Sequence, residues 1–139
     1  MTKLKTTKTA FLIRDSYGDV AHKAWVSALD GQPRGENIEC VNVFDCEIKD
    51  ADFSDSTLSL ATFVQCVFRR CCFNRTIFEG CRLNCCRFIE CSLVETKFHR
   101  APIGTLTMLC GNSFESSALS NVDFTGATIT PNPESTANN

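Results

Sequence analysis

Apolar residues return along this chain at every fifth position. Reading from Ile38 gives Val43, Ile48, Phe53, Leu58, Phe63, Phe68, Phe73, Phe78, Leu83, Phe88, Leu93, Phe98 and Ile103. Two residues before these centres lies a second series: Val41, Cys46, Ala51, Ser56, Ala61, Cys66, Cys71, Thr76, Cys81, Cys86, Cys91, Thr96 and Ala101. The repeat is small–x–large apolar–x–x. A helix of period 3.6 or a strand of period 2 cannot bury a five-residue pattern on one face. A chain that turns a corner every five residues can, sending one large and one small side chain inward on each side. Four sides make a coil of about twenty residues, and coils stack at the ~4.8 Å spacing of hydrogen-bonded strands. The pattern therefore predicts an all-β solenoid over residues 36–130.

After Met108 the phase slips by one residue, and Phe114, Leu119, Phe124 and Ile129 continue the series. A bulge or short corner loop is expected near residues 109–111. Residues 1–35 read as an N-terminal arm and cap, with a strand at about 9–14 and a helix at about 19–30. Asp19 is placed to cap that helix, Gly31 to end it, and Trp25 on its apolar face. A solenoid needs its open end covered, so Trp25 is a candidate cap residue or dimer anchor. At the other end Pro131 and Pro133 oppose a further strand, and residues 131–139 read as a disordered tail.

The segments DADFS, LATFV, QCVFR, EGCRL, ALSNVDF and GATI resemble the pentapeptide-repeat family. The resemblance implies a right-handed quadrilateral β-helix, here with Cys often replacing the family's Ala and with Asp52 and Asp123 at its favoured second position. The best-known members are DNA mimics that bind DNA gyrase or topoisomerase IV, some conferring quinolone resistance. By resemblance, this chain would inhibit a nucleic-acid-processing machine, in a bacterial, phage or mobile-element setting.

If residues twenty apart are stacked, Asp50, Arg70 and Glu90 form one column and Asp55, Arg75 and Glu95 another. Both alternate in sign, as stacked neighbours prefer. Cys46, Cys66 and Cys86 share an inner column, as do Cys71 and Cys91, where cysteine fills space as a small apolar residue. The spacing offers no zinc ligand set, and no cofactor or metal is expected. Cys72 and Cys85 fall at outward positions and are the expected reactive thiols.

Composition adds little that is chemical. Ten Cys and eleven Phe stand out, nine of the Phe at repeat centres; the net charge is −2 and 43% of residues are apolar. No secretory apolar run or membrane-spanning stretch is present in the sequence, so a soluble cytoplasmic protein with reduced thiols is expected. No nucleophile–base pair, paired catalytic carboxylates or phosphate-binding glycine loop is found, which predicts no enzyme.

Charge is uneven instead. Residues 36–55 carry seven acids and only Lys49, whereas bases dominate residues 64–100. The acidic end (Glu36, Glu39, Asp45, Glu47 and Asp52) is the first candidate for binding a protein partner, as a docking or DNA-mimicking surface. Arg69, Arg82, Arg87 and Arg100 are the rival candidates, for binding nucleic acid directly. A structural scaffold, dimerising through its cap, is the remaining alternative.

Overall fold

The computed structural model describes residues 12–15, 20–23 and 33–131. From residue 33 the chain winds as a four-sided coil. Side one stacks β3 (Asn37–Glu39), β6 (Thr57–Ser59), β9 (Ile77–Glu79) and β12 (Lys97–His99). Side two stacks β4 (Asn42–Phe44), β7 (Thr62–Val64), β10 (Arg82–Asn84), β13 (Thr107–Cys110) and β15 (Ala127–Thr130). Side three stacks β5 (Cys46–Lys49), β8 (Val67–Arg69), β11 (Arg87–Ile89) and β14 (Ser113–Glu115). These pairings are parallel. Side four is held by single bridges, Asp52 to Cys72 to Ser92 to Ala118. There the chain turns tightly after each centre, the Ser56 and Thr76 amides donating to the Phe53 and Phe73 carbonyls at 3.1 Å. The architecture is the quadrilateral β-helix that the five-residue period implies.

The centres fill the interior. Phe53, Phe63, Phe73 and Phe78 have no solvent exposure, and Phe68, Phe88 and Phe98 have 1%. Because rungs are ~4.8 Å apart, flat rings stack along each side. Phe68 lies 4.9 Å from Phe88, Phe88 4.9 Å from Phe114, and Phe78 4.9 Å from Phe98. Edge-on contacts join the sides, as between Phe68 and Phe73 at 5.3 Å.

The corner residue, two after each centre, has left-handed backbone, as at Asp45, Asp50, Asp55, Leu60, Gln65, Arg70 and Arg75, with φ between 53° and 60°. Such a conformation costs a non-glycine residue roughly 1–2 kcal/mol. A coil-to-coil hydrogen bond offsets it: the Asp45 amide donates to Val64 O at 2.9 Å and the Arg70 amide to Ile89 O at 2.9 Å.

Two sequence expectations need correction. The phase slip is a six-residue insertion at residues 101–106, upstream of 109–111. Leu109 stacks on Leu83 and Phe114 on Phe88, each twenty-six residues on. In a five-residue period, six extra residues and one are indistinguishable. Ile103, in phase by sequence, lies in the inserted loop and is 76% exposed. The loop closes on itself, with the Ala101 amide donating to Thr105 O and the Gly104 amide to Ala101 O, both at 2.7 Å.

The expected helix over 19–30 is also replaced, in part, by a strand. β1 (Leu12–Asp15) pairs antiparallel with β5 and with β2 (Val20–Lys23). This hairpin covers the edge of side three at the N-terminal end, and satisfies backbone groups that β5 would otherwise present there. β1 overlaps the strand expected at 9–14; the remainder of that expectation, the rest of 19–30 with Trp25, and residues 132–139 of the tail lie outside the described residues.

Candidate interaction surfaces

The inner small positions are more than space-filling. Thr76 and Thr96 donate hydroxyl hydrogen bonds to the Phe53 and Phe73 carbonyls one coil below, at 2.6 and 2.7 Å. Cysteine thiols make the same bond: Cys66 to Val43 O at 3.4 Å, Cys71 to Ile48 O at 3.4 Å, Cys81 to Leu58 O at 3.1 Å, Cys86 to Phe63 O at 3.3 Å and Cys91 to Phe68 O at 3.2 Å. After the insertion, Asn112 and Ser117 continue the series to Leu83 O and Phe88 O at 2.9 Å. Each donor meets a carbonyl at the middle of a side, which explains why Cys, Thr or Ser so often replaces Ala.

Of these thiols, Cys66, Cys71 and Cys81 are poor nucleophiles. Burial pushes Cys81 up to about 12. Cys66 and Cys71 are raised further, by hydrogen bonding to the Cys86 and Cys91 sulfurs and by burial. A raised pKa withholds the reactive thiolate. All ten cysteines are free; Cys40 is exposed, and Cys72, Cys85 and Cys110 are half-buried. Among the described residues no three His, Cys, Asp or Glu side chains are grouped to hold a metal ion.

Two corners carry the alternating charges that the twenty-residue register predicts. Arg70 clasps Asp50 with bonds of 2.8 and 3.3 Å, and Arg75 clasps Asp55 with bonds of 2.7 and 3.1 Å. Those guanidinium hydrogen bonds hold both aspartates below the usual carboxylate range. On side three Arg69 binds Glu47 at 3.0 Å, and Arg87 takes both Glu115 oxygens at 2.9 Å. Arg34 binds Asp52 at 3.0 Å.

The acidic candidates consequently form a belt around the first coil, spread over sides one, three and four and one corner of side two. Glu36 and Glu39 belong to side one, Asp45 to the corner between sides two and three, Glu47 to side three and Asp52 to side four. Glu47 and Asp52 are engaged by arginines, whereas Glu36, Glu39 and Asp45 make no ion pair among the described residues. The basic candidates are dispersed too. Arg69 and Arg87 share side three with their carboxylate partners, Arg82 stands on side two, and Arg100 donates to Gly104 O at 3.1 Å beside the inserted loop.

Side two differs in kind. Its outward columns are Asn42, Thr62, Arg82, Met108 and Thr128, and beside them Phe44, Val64, Asn84, Cys110 and Thr130. It therefore carries a single charge, that of Arg82. Phe44 is 55% exposed and Met108 42%. The corner it shares with side one carries Leu60 and Gly80 at successive turns, followed by Arg100 beside the inserted loop. A Cβ on Gly80 would lie 2.7 Å from the Ala101 Cβ and 2.9 Å from Leu60 Cδ2, so this glycine lets the inserted loop and Leu60 close over it.

The pentapeptide-repeats family model matches residues 46–84 with eight copies of the repeat. The same stacked rungs continue on both sides of that stretch. The chain carries pentapeptide repeats. Solved structures to which the chain is similar include full-length QnrB1, a plasmid-mediated fluoroquinolone resistance protein, at 16% identity over 66% of this chain and 59% of that one, with a TM-score of 0.35. A trypsin-treated QnrB1 matches at 19% identity over 68% and 54%, with a TM-score of 0.31. Rfr23 from the cyanobacterium Cyanothece 51142 matches at 12% identity over 68% and 88%, with a TM-score of 0.29. This pentapeptide-repeat chain spans little more than half the length of the QnrB1 chains it matches. A search of the curated proteins finds no match.

Proposed function

We propose that this pentapeptide-repeat protein is a non-enzymatic docking module, which binds and inhibits a protein component of a cytoplasmic nucleic-acid-processing machine. The observation that carries this reading is the fate of the charges. Down the rod, Arg69, Arg70, Arg75 and Arg87 are taken up by carboxylates, whereas Glu36, Glu39 and Asp45 at the first coil are left without ion pairs among the described residues. Such an end is suited to a basic surface, and complementary charge mainly speeds and orients docking. Because the acids ring the coil, end-on docking is favoured over imitation of a long duplex.

The test is a titration of wild type and Glu39→Lys/Asp45→Lys against purified DNA gyrase and topoisomerase IV, read as supercoiling and decatenation. Wild type should inhibit, and the variant should need at least tenfold more protein at unchanged melting temperature. Equal potency of the two proteins, or inertness of wild type toward both enzymes, would sink the proposal.

One observation favours a second reading, a self-assembling scaffold. The last coil leaves Leu119 and Ile129 exposed and Phe114 and Phe124 only partly covered around a hollow at the rod's end. A dimer joined there would dissociate on Leu119→Ser/Ile129→Ser substitution, as light scattering after size exclusion would show.

A further inference from the structure

We infer that side two, with the inserted loop at its edge, is a second docking surface, shaped for a short protein segment that places a carboxylate beside apolar side chains. The inference shares with the proposed function only the premise that this rod binds proteins. It assigns a different surface and a different partner chemistry.

The first observation is the segregation of charge. The corners flanking side four read Asp50–Arg70–Glu90 and Asp55–Arg75–Glu95, and side three pairs Arg69 with Glu47 and Arg87 with Glu115. Side two has ten outward positions in two columns, of which nine are uncharged. The second observation is what stands in their place. Of the exposed large apolar residues, Phe44 and Met108 project from side two, Leu60 stands at its corner with side one, and Ile103 sits on the loop packed over Gly80. Isolated exposed apolar residues need no explanation, but several gathered on one flank mark an interaction site. The third is Arg82. It lies between Thr62 and Met108 in register, mid-way along the flank, and makes no ion pair among the described residues. The arginines at 34, 69, 70, 75 and 87 each hold a carboxylate.

A guanidinium without an ion pair among the described residues, set among Thr, Asn and apolar groups, calls for a carboxylate from outside. Arginine is the cation suited to binding one bidentately, and arginine and aromatic residues are the commonest anchors of protein interfaces. A second copy of this chain fits less well. The flank is five strands high and three residues wide, on the order of 250 Å² from strand dimensions. Stable dimers bury roughly 800 Å² per partner. A short extended segment fits that area.

The experiment pans a displayed library of random 12-residue peptides on the intact protein, then on Arg82→Glu, on Arg82→Gln and on Phe44→Ser/Met108→Ser. All substituted side chains are exposed, so circular dichroism and melting temperature should match wild type and verify folding. Wild type is expected to enrich peptides with Asp or Glu next to aromatic or aliphatic residues. Synthetic copies of those peptides should bind Arg82→Gln and the double variant at least tenfold more weakly, and Arg82→Glu should enrich Lys or Arg instead. Peptides that bind all variants equally, or a library without enrichment, would overturn the inference. So would a single-stranded oligonucleotide whose binding is lost with Arg82→Glu while no peptide binds. The Glu39→Lys/Asp45→Lys protein should retain the peptide, so failure of the acidic-end reading leaves this surface standing, and the reverse.

Discussion

The Thr96 hydroxyl donates a 2.7 Å hydrogen bond to the carbonyl of Phe73, twenty-three residues earlier and one coil below. Thr96 has no solvent exposure, so no water replaces that bond if it is lost. Thr96→Val keeps the shape and removes the donor, leaving the Phe73 carbonyl with only the Thr76 amide and its turn geometry. Removing a buried partner costs about 1–3 kcal/mol, and urea unfolding should show a loss in that range. Cys81→Thr restores a hydroxyl at the equivalent position facing Leu58 O, and its midpoint should stay close to wild type.

Phe73 packs against Phe53, Phe68, Phe78 and Phe88. Phe73→Ala should lose about 3–5 kcal/mol, the range for opening a cavity in a packed core. Its neighbour Asn74 faces outward by sequence, yet its Oδ1 accepts from Ser92 Oγ at 2.7 Å and from the Val94 amide at 2.9 Å. Asn74→Ala should therefore cost about 1 kcal/mol, measurable beside an inert control such as Gln65→Ala.

The core was legible in the sequence because a single period governs it. Phe53 through Phe98 occupy the positions that every-fifth-residue counting assigns them, and the Asp50–Arg70 and Asp55–Arg75 columns form as the twenty-residue register requires. The insertion was not legible, because adding six residues shifts a five-residue phase as one residue does. Side two was hidden for the same reason: Met108 joins the Arg82 column only once the loop is placed at 101–106. The Glu47–Arg69 and Asp52–Arg34 pairs were missed because they run diagonally, twenty-two and eighteen residues apart. The strand β2 escaped because Val20, Ala21 and Lys23 suit a short helix equally well, and pairing with β1 decides between them.

Acid should loosen the last coil first. Hydrogen bonds from Arg87 and Ser113 hold Glu115 at about 2, and those from Thr125 and His99 hold Asp123 at about 2. A carboxylate depressed by folding contributes stability above its unfolded value near 4, and that contribution is lost as pH falls through the folded value. Melting temperature should thus fall between about pH 4.5 and pH 2, with amide exchange rising earliest across residues 113–127. Glu115→Gln/Asp123→Asn should flatten the dependence, as should high salt, because both carboxylates are exposed.

The thiols should divide into two classes. Cys40, Cys72, Cys85 and Cys110 are accessible, whereas Cys46, Cys66, Cys71, Cys81, Cys86 and Cys91 are buried. Native protein should react rapidly with a disulfide reagent at the first four, and all ten should react once unfolded. Mass spectrometry of the labelled peptides assigns them; rapid labelling at Cys66 or Cys86 would contradict the inward register.

Every surface assigned to this protein depends on which residues share a side, and hence on the coil being twenty residues up to Leu83 and twenty-six across the loop. Nuclear Overhauser contacts between backbone protons of stacked centres measure that directly. Phe63 should contact Leu83, and Leu83 should contact Leu109, as the parallel pairing of their strands requires. A contact from Leu83 to Ile103 in place of Leu109 would contradict the account, and would remove Met108 from the face on which Arg82 stands.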